Sequence, residues 1–195
     1  MGILLSWTVA TDSGLLRIFG GRPMQNRQRW LGRVTAGSGV STGEPLVLLS
    51  CDVPIDAAMP SVAGVECWLG EAVGYAYAAS SDFAERLLIN QMSIPPRHDA
   101  EFNEWYDTEH MPRLAALDGV LSARRFRAVA GTPMYTALYY LRHCELLQSN
   151  EWRAAATTPW TTRIMRLRCA PRRMVFQRSP ASVSEPNAVN DAELM

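Results

Sequence analysis

The chain has 195 residues, 48% hydrophobic and 19% charged, a balance that supplies a packed core and fits one large domain or two small ones. Its 19 basic and 19 acidic residues give zero net charge, so no global field draws nucleic acid or an anionic membrane. Every basic residue is arginine, and the lack of lysine excludes a Schiff base, a pyridoxal phosphate anchor and a P-loop lysine.

In chain order, residues 3–9 (ILLSWTV) predict a strand. The run is short and has no basic flank, unlike a signal peptide, and no stretch approaches the roughly 20 apolar residues of a membrane helix. Cys51, Cys67, Cys144 and Cys169 lie far apart with no zinc-type spacing, so they read as small buried hydrophobes in a reduced, cytoplasmic protein. Residues 14–31 contain a predicted helix. Strands over 33–41 and 45–53 flank the turn Thr42-Gly43-Glu44, followed by a helix over 55–68 and a strand over 74–79.

The second half repeats that order. Residues 86–94 (RLLINQMSI) predict a strand closed by Pro95-Pro96. A helix follows, with Asp99 as N-cap and Phe102, Trp105, Tyr106, His110 and Leu114 at helical spacing, ended or kinked by Pro112. Residues 120–129 and 134–141 predict a hairpin around Gly131-Thr132-Pro133, 145–168 a helix broken at Pro159, and 173–178 a last strand. The expected fold class is therefore α+β: two fused ferredoxin-like βαββαβ units, 1–83 and 84–178, whose sheets pack together as a pseudo-dimeric barrel. The first unit is the degenerate copy, lacking the Trp-Tyr-Asp-x-x-His helix. Residues 179–195 lack apolar periodicity and read as a disordered tail.

Residues 102–112 (F-x-x-W-Y-D-x-x-H-x-P), the Asp118-Gly119-Val120 turn, Arg124-Arg125-Phe126, P-x-Y-x-A-L-Y in the hairpin and Thr158 to Arg163 (T-P-W-T-x-R) together resemble the dimeric α/β-barrel superfamily of ferredoxin-like proteins. Within it the chain is similar to EthD-like and tandem members. The superfamily includes cyclases, dehydratases, lactone isomerases, cofactor-free monooxygenases and haem enzymes, so the likeness carries a fold and no single reaction. It implies a pocket between the sheet and its helices, facing His110. Tyr140 stands where related sequences often carry a carboxylate.

His110 is the leading candidate for chemistry, since an imidazole titrates near neutrality and moves a proton either way. Asp107, three residues earlier, would orient it as a dyad, and Tyr106, four residues earlier, would hydrogen-bond a developing enolate. The competing reading has His110 capping the helix C-terminus. Trp105 reads as core or as a substrate wall. Adjacent Arg124 and Arg125 point to opposite strand faces, so only one, assigned as Arg125, reaches the pocket to hold an anion. Asn90 is polar in mid-strand and Tyr139 shares a face with Tyr135; both are assigned to substrate binding. Expected are no metal and no cofactor. Asp107 and His110 lack a second pair to complete a metal site, and haem would need His110 or His143 as axial ligand. The expected partner is a small-molecule substrate, with no nucleic acid and no membrane, and with a homo-oligomer left open. Three functions follow: a cofactor-independent lyase, cyclase or isomerase on a small aromatic or polyketide-like carbonyl compound; a cofactor-free monooxygenase; or a non-catalytic small-molecule-binding or assembly protein.

Overall fold

A computed structural model describes residues 2–9, 25–37, 46–54, 56–78 and 81–178. Apolar runs with β-branched and aromatic residues form β1 (Gly2–Val9), β2 (Gln25–Gly37), β3 (Leu46–Val53), β4 (Glu66–Ala72), β5 (Tyr77–Ala78), β6 (Arg86–Ser93), β7 (Val120–Ala130), β8 (Tyr135–Leu141) and β9 (Cys169–Arg178). They pair in the order β4-β1-β3-β2-β9-β6-β8-β7-β5, and a further β4–β7 pairing closes eight of them into a ring. All the pairings are antiparallel.

Closure explains why β3 and β8 are buried along their whole length, because each strand has a core on both faces. The inner face is set by alternate residues such as Leu5, Leu48, Leu87, Ile89, Leu138 and Phe176, with Trp30 and Trp68 among them. Leu88, Met92, Tyr135, Ala137 and Tyr139 turn outward to meet the helices. On the opposite side, Leu4, Val47, Leu49 and Leu69 pack under residues of the 54–65 segment such as Val62.

The helical layer begins with a 3-10 turn, Pro96–His98, and continues as α1 (Asp99–Trp105), a π-helical turn (Tyr106–His110) and α2 (Met111–Ala115). After the hairpin come a 3-10 turn (Glu145–Gln148), α3 (Asn150–Ala156) and α4 (Pro159–Leu167), the last two capped by Ser149 and Thr158. Asp99 lies inside α1 and not at its N-cap. Pro112 does not end the helix. Its ring and missing N–H are incompatible with a regular bond to the residue four back, and the π turn just before it widens the helix: Met111 N–H bonds to Tyr106 O, five residues back.

The first half departs further from the sequence reading. The helix expected over 55–68 does not form; Pro54, Pro60 and the positive-φ Gly64 interrupt it, and 66–72 is strand, with Trp68 inside the ring donating to Pro133 O at 2.8 Å. Residues 25–31 of the expected 14–31 helix belong to β2, while 10–24 lie outside the described residues, as do the Thr42-Gly43-Glu44 turn and the 179–195 tail. Of the expected 74–79 strand, Tyr77–Ala78 forms at the edge of β7, 74–76 are not strand, and 79 lies outside the described residues. Of the four free cysteines only Cys51 is fully buried, and Cys169 is exposed.

Candidate active site

The π turn is what gives His110 its surroundings. In an α-helix, residues five apart diverge by roughly 140° around the axis. The wider turn brings Trp105 and His110 together, rings stacked with centroids 4.2 Å apart and planes 27° from parallel. Tyr106 meets the imidazole edge-on at 5.4 Å. His110 is 7% exposed and its Nδ1 is buried with no hydrogen-bond partner. Burial, with the nearby Arg113 charge adding to it, pushes its pKa down to about 3. The ring is thus neutral at physiological pH and does not cap the helix as a cation.

A cavity of about 320 Å³ opens between the outer face of the sheet and the helices. His110, Trp105, Tyr106 and Leu114 form one wall, Trp152, Ala156, Thr161 and Met165 from α3 and α4 another, and Asn90 and Met92 of β6 the floor. Arg168, Arg172 and Arg173 complete the lining beside Pro171. Trp105 donates through its indole N–H to Thr161 Oγ1 (3.3 Å) and Thr158 to Glu109 Oε1 (2.6 Å), so α4 is tied to the π turn across the cavity. Burial pushes the Tyr106 phenol up to about 12, against the opposing charges of Arg125 and Arg168; it is a neutral hydrogen-bonding group.

Asp107 has a different partner from the one expected. Its Oδ1 accepts from Arg125 Nη2 at 2.8 Å, and Arg125 Nη1 donates to Asn103 Oδ1 at 2.7 Å. Asn103 in turn donates to Tyr135 Oη (3.1 Å), whose hydroxyl donates to Asp99 Oδ1 (2.8 Å). The His110–Asp107 dyad is therefore absent. Arg125, 2% exposed, faces the helices as alternation requires, yet it does not line the cavity: its guanidinium sits 4.8 Å from the Tyr106 ring centre, and this network fastens the helix to β7. Arg124 turns to the inner face and pairs with Asp52 at 3.3 Å. Tyr139 is also displaced from its expected role. It is fully buried, edge-on to Trp152 at 5.8 Å, with its hydroxyl unpartnered and its pKa raised well above the ordinary value by desolvation.

The cavity thus gathers His110, Tyr106, Trp105 and Asn90 of the residues picked out from the sequence and leaves out Asp107, Arg125 and Tyr139. Those missed include Trp152, Thr161, Arg168 and Arg173. Thr161 belongs to the Thr158–Arg163 motif, and the run RLRCAPRR over 166–173 carried a readable charge signal. His143 bonds to exposed Glu85 (3.2 Å) and His98 lies beside Arg97, both away from the cavity. Among the described residues, no cluster of three or more His, Cys, Asp or Glu could hold a metal ion, and no helix is long and apolar enough to cross a membrane.

No family profile matches the chain by sequence, and no curated protein does. Solved structures do. A ferredoxin-fold protein of Listeria monocytogenes related to antibiotic biosynthesis monooxygenases superposes with a TM-score of 0.58 at 8% identity, covering 92% of this chain and 95% of that one. A haem-degrading enzyme of the same species gives 0.60 at 9% identity, over 92% of this chain and 100% of its own. An anthrone oxidase-like protein gives 0.55 at 10% identity, over 94% and 93%. The fold is accordingly ferredoxin-like α+β. The lyase, cyclase or isomerase reading with His110 as general acid/base does not stand. The similar structures bear names of oxidative chemistry, and an imidazole whose pKa is about 3 is a poor proton acceptor near neutrality.

Proposed function

We propose that the protein is a cofactor-independent monooxygenase that oxidises a small aromatic compound in the cavity between β6, β9 and the helices. The observation that carries this reading is the cavity itself: Trp105, Tyr106 and Trp152 beside one neutral imidazole, with arginines at one side. Aromatic walls bind a flat ring by apolar contact and stacking. His110 and the Tyr106 phenol hydrogen-bond an enolic or phenolic oxygen, and the arginine charges favour its anion. The substrate anion then supplies the electrons. For a methylene flanked by aromatic rings, CH₂ plus O₂ becomes C=O plus H₂O: one oxygen atom enters the product, the other leaves as water with the two hydrogens, and four electrons pass from carbon to oxygen. His110 orients the substrate and does not store its proton. The names of the monooxygenase-related and anthrone oxidase-like structures support the same chemistry. At about 320 Å³ the cavity suits a small ligand, at the low end of the roughly 300–1,000 Å³ of ligand pockets.

We also read the chain as a tandem member of the superfamily, with units 1–83 and 84–178. The orders β4-β1-β3-β2 and β9-β6-β8-β7 are the same permutation, each joined to the other at both edges, which supports two fused copies. The EthD-like affinity rests on the 102–112 motif.

The test is oxygen uptake with anthrone in the absence of added metal or flavin, compared under air and argon. One O₂ should be consumed per product formed, and His110→Ala should slow turnover about 10²-fold while the fold is retained. Product formation at the same rate under argon would overturn the assignment.

A further inference from the structure

The two ring nitrogens of His110 are not equivalent. Nδ1 is sealed from solvent and has no hydrogen-bond partner. Nε2 also meets no hydrogen-bonding group among the described residues, yet it is not sealed, and its ring lines the cavity. A neutral imidazole carries one N–H and one bare nitrogen. A proton on Nδ1 would leave a sealed donor unpaired, and buried orphan N–H groups are rarer than under-satisfied acceptors. A proton on Nε2 keeps a hydrogen bond available to whatever enters the cavity. The other polar groups on the wall agree with that polarity. Tyr106 Oη and the Asn90 amide N–H₂ have no partner among the described residues and are likewise unsealed, so both can donate. Asn90 Oδ1 is engaged by Arg173 at 3.4 Å, and Thr161 Oγ1 by the Trp105 indole at 3.3 Å and Thr158 Oγ1 at 3.0 Å. No Asp or Glu lines the cavity.

We infer that His110 is a hydrogen-bond donor, held in the Nε2–H form, and that it selects a flat aromatic ligand through an unprotonated oxygen. This rests on reading the cavity as the substrate site and narrows the substrate's class to an aromatic ketone, bound as the carbonyl or as the enolate or phenolate derived from it. A donor fixed at that oxygen gains strength as negative charge moves onto it, which favours the anion that reacts. An ammonium group, which can only donate, leaves Nε2–H unpaired in a partly desolvated site and is selected against.

Two measurements test it on the full chain. In protein labelled with ¹⁵N-histidine, NMR at neutral pH distinguishes the protonated ring nitrogen from the bare one, His110 being the set of signals missing from His110→Phe. The proton should sit on Nε2; a proton on Nδ1 would overturn the inference, and this reading needs no variant to fold. The second measurement uses 2-acetylnaphthalene and 2-isopropenylnaphthalene, matched in shape with C=O replaced by C=CH₂, titrated by calorimetry. The ratio of ketone to alkene affinity should fall about fivefold in His110→Phe, the worth of one neutral hydrogen bond. An unchanged ratio in a folded variant would overturn the donor role. The outcome is separable from the oxidation. Oxygen uptake by a protein whose His110 carries its proton on Nδ1 removes this inference alone, whereas an Nε2–H ring that prefers the ketone, without uptake, removes the oxidation alone.

Discussion

His110 is held neutral by its setting, and this has a thermodynamic sign. Its pKa is near 3 when folded and about 6.5 when unfolded, so between those values the unfolded chain binds a proton that the native protein refuses. Stability therefore falls as pH drops from 6.5 toward 3. At pH 5 this residue alone should cost up to about 2 kcal/mol relative to pH 7.5. Urea denaturation at the two pH values should show the loss in the native protein, and His110→Gln should remove most of it. Asp107 belongs to a different ledger. Its partner Arg125 has a side chain only 1% exposed, so Asp107→Ala leaves a buried guanidinium short of its counter-charge and should cost about 3 kcal/mol. Thermal unfolding reads that cost; an unchanged melting temperature with a collapsed turnover rate would restore the dyad that the structure replaces. Sequence spacing correctly brought Tyr106 and His110 to one helix face. It could not reveal that Arg125 competes for Asp107, since that pairing joins residues 18 apart through strand alternation and helix docking.

The element that makes the site is the π turn, and its cause was legible while its form was not. Pro112 announced a disturbance; that the chain would widen and not stop depends on Met111 and Leu114 being buried beyond it, in the same cluster as Trp105. The turn is braced from outside. Gly74, at φ +69°, lies so close that an added Cβ would collide with Asp107 Oδ1, and Val73 N–H donates to Arg125 O at 3.0 Å. Gly74→Ala combines that collision with a left-handed backbone and should destabilise by about 2 kcal/mol, measured by chemical denaturation. A Tm shift within error would mean that the 73–76 segment is not pressed on the helix. β4 shows the opposite case. Its sequence, ECWLGEA, reads as a helix end, and it is strand because Trp68 enters the ring and Gly70 lets the indole lie across the backbone. Tertiary packing overrides local preference here.

At the scale of the molecule, the second half was readable because its aromatic motif, hairpin and helices are local patterns, whereas the ring depends on β2–β9 and β4–β7 contacts between distant segments. Closure buries both faces of β3 and β8, which is why their apolar runs did not show which face meets the helices. It also places the cavity. The inner face is filled by Trp30, Trp68, Phe126 and Phe176, and the described cavity lies outside, under the helices of the second half alone. Any chemistry at that cavity is single and asymmetric. The most direct test is isotopic: the test compound of the uptake assay is converted under ¹⁸O₂ and the product weighed by mass spectrometry. One ¹⁸O atom per product molecule is expected, lost when Ala156→Trp fills the cavity. Product carrying no label from ¹⁸O₂, formed at full rate, would contradict it.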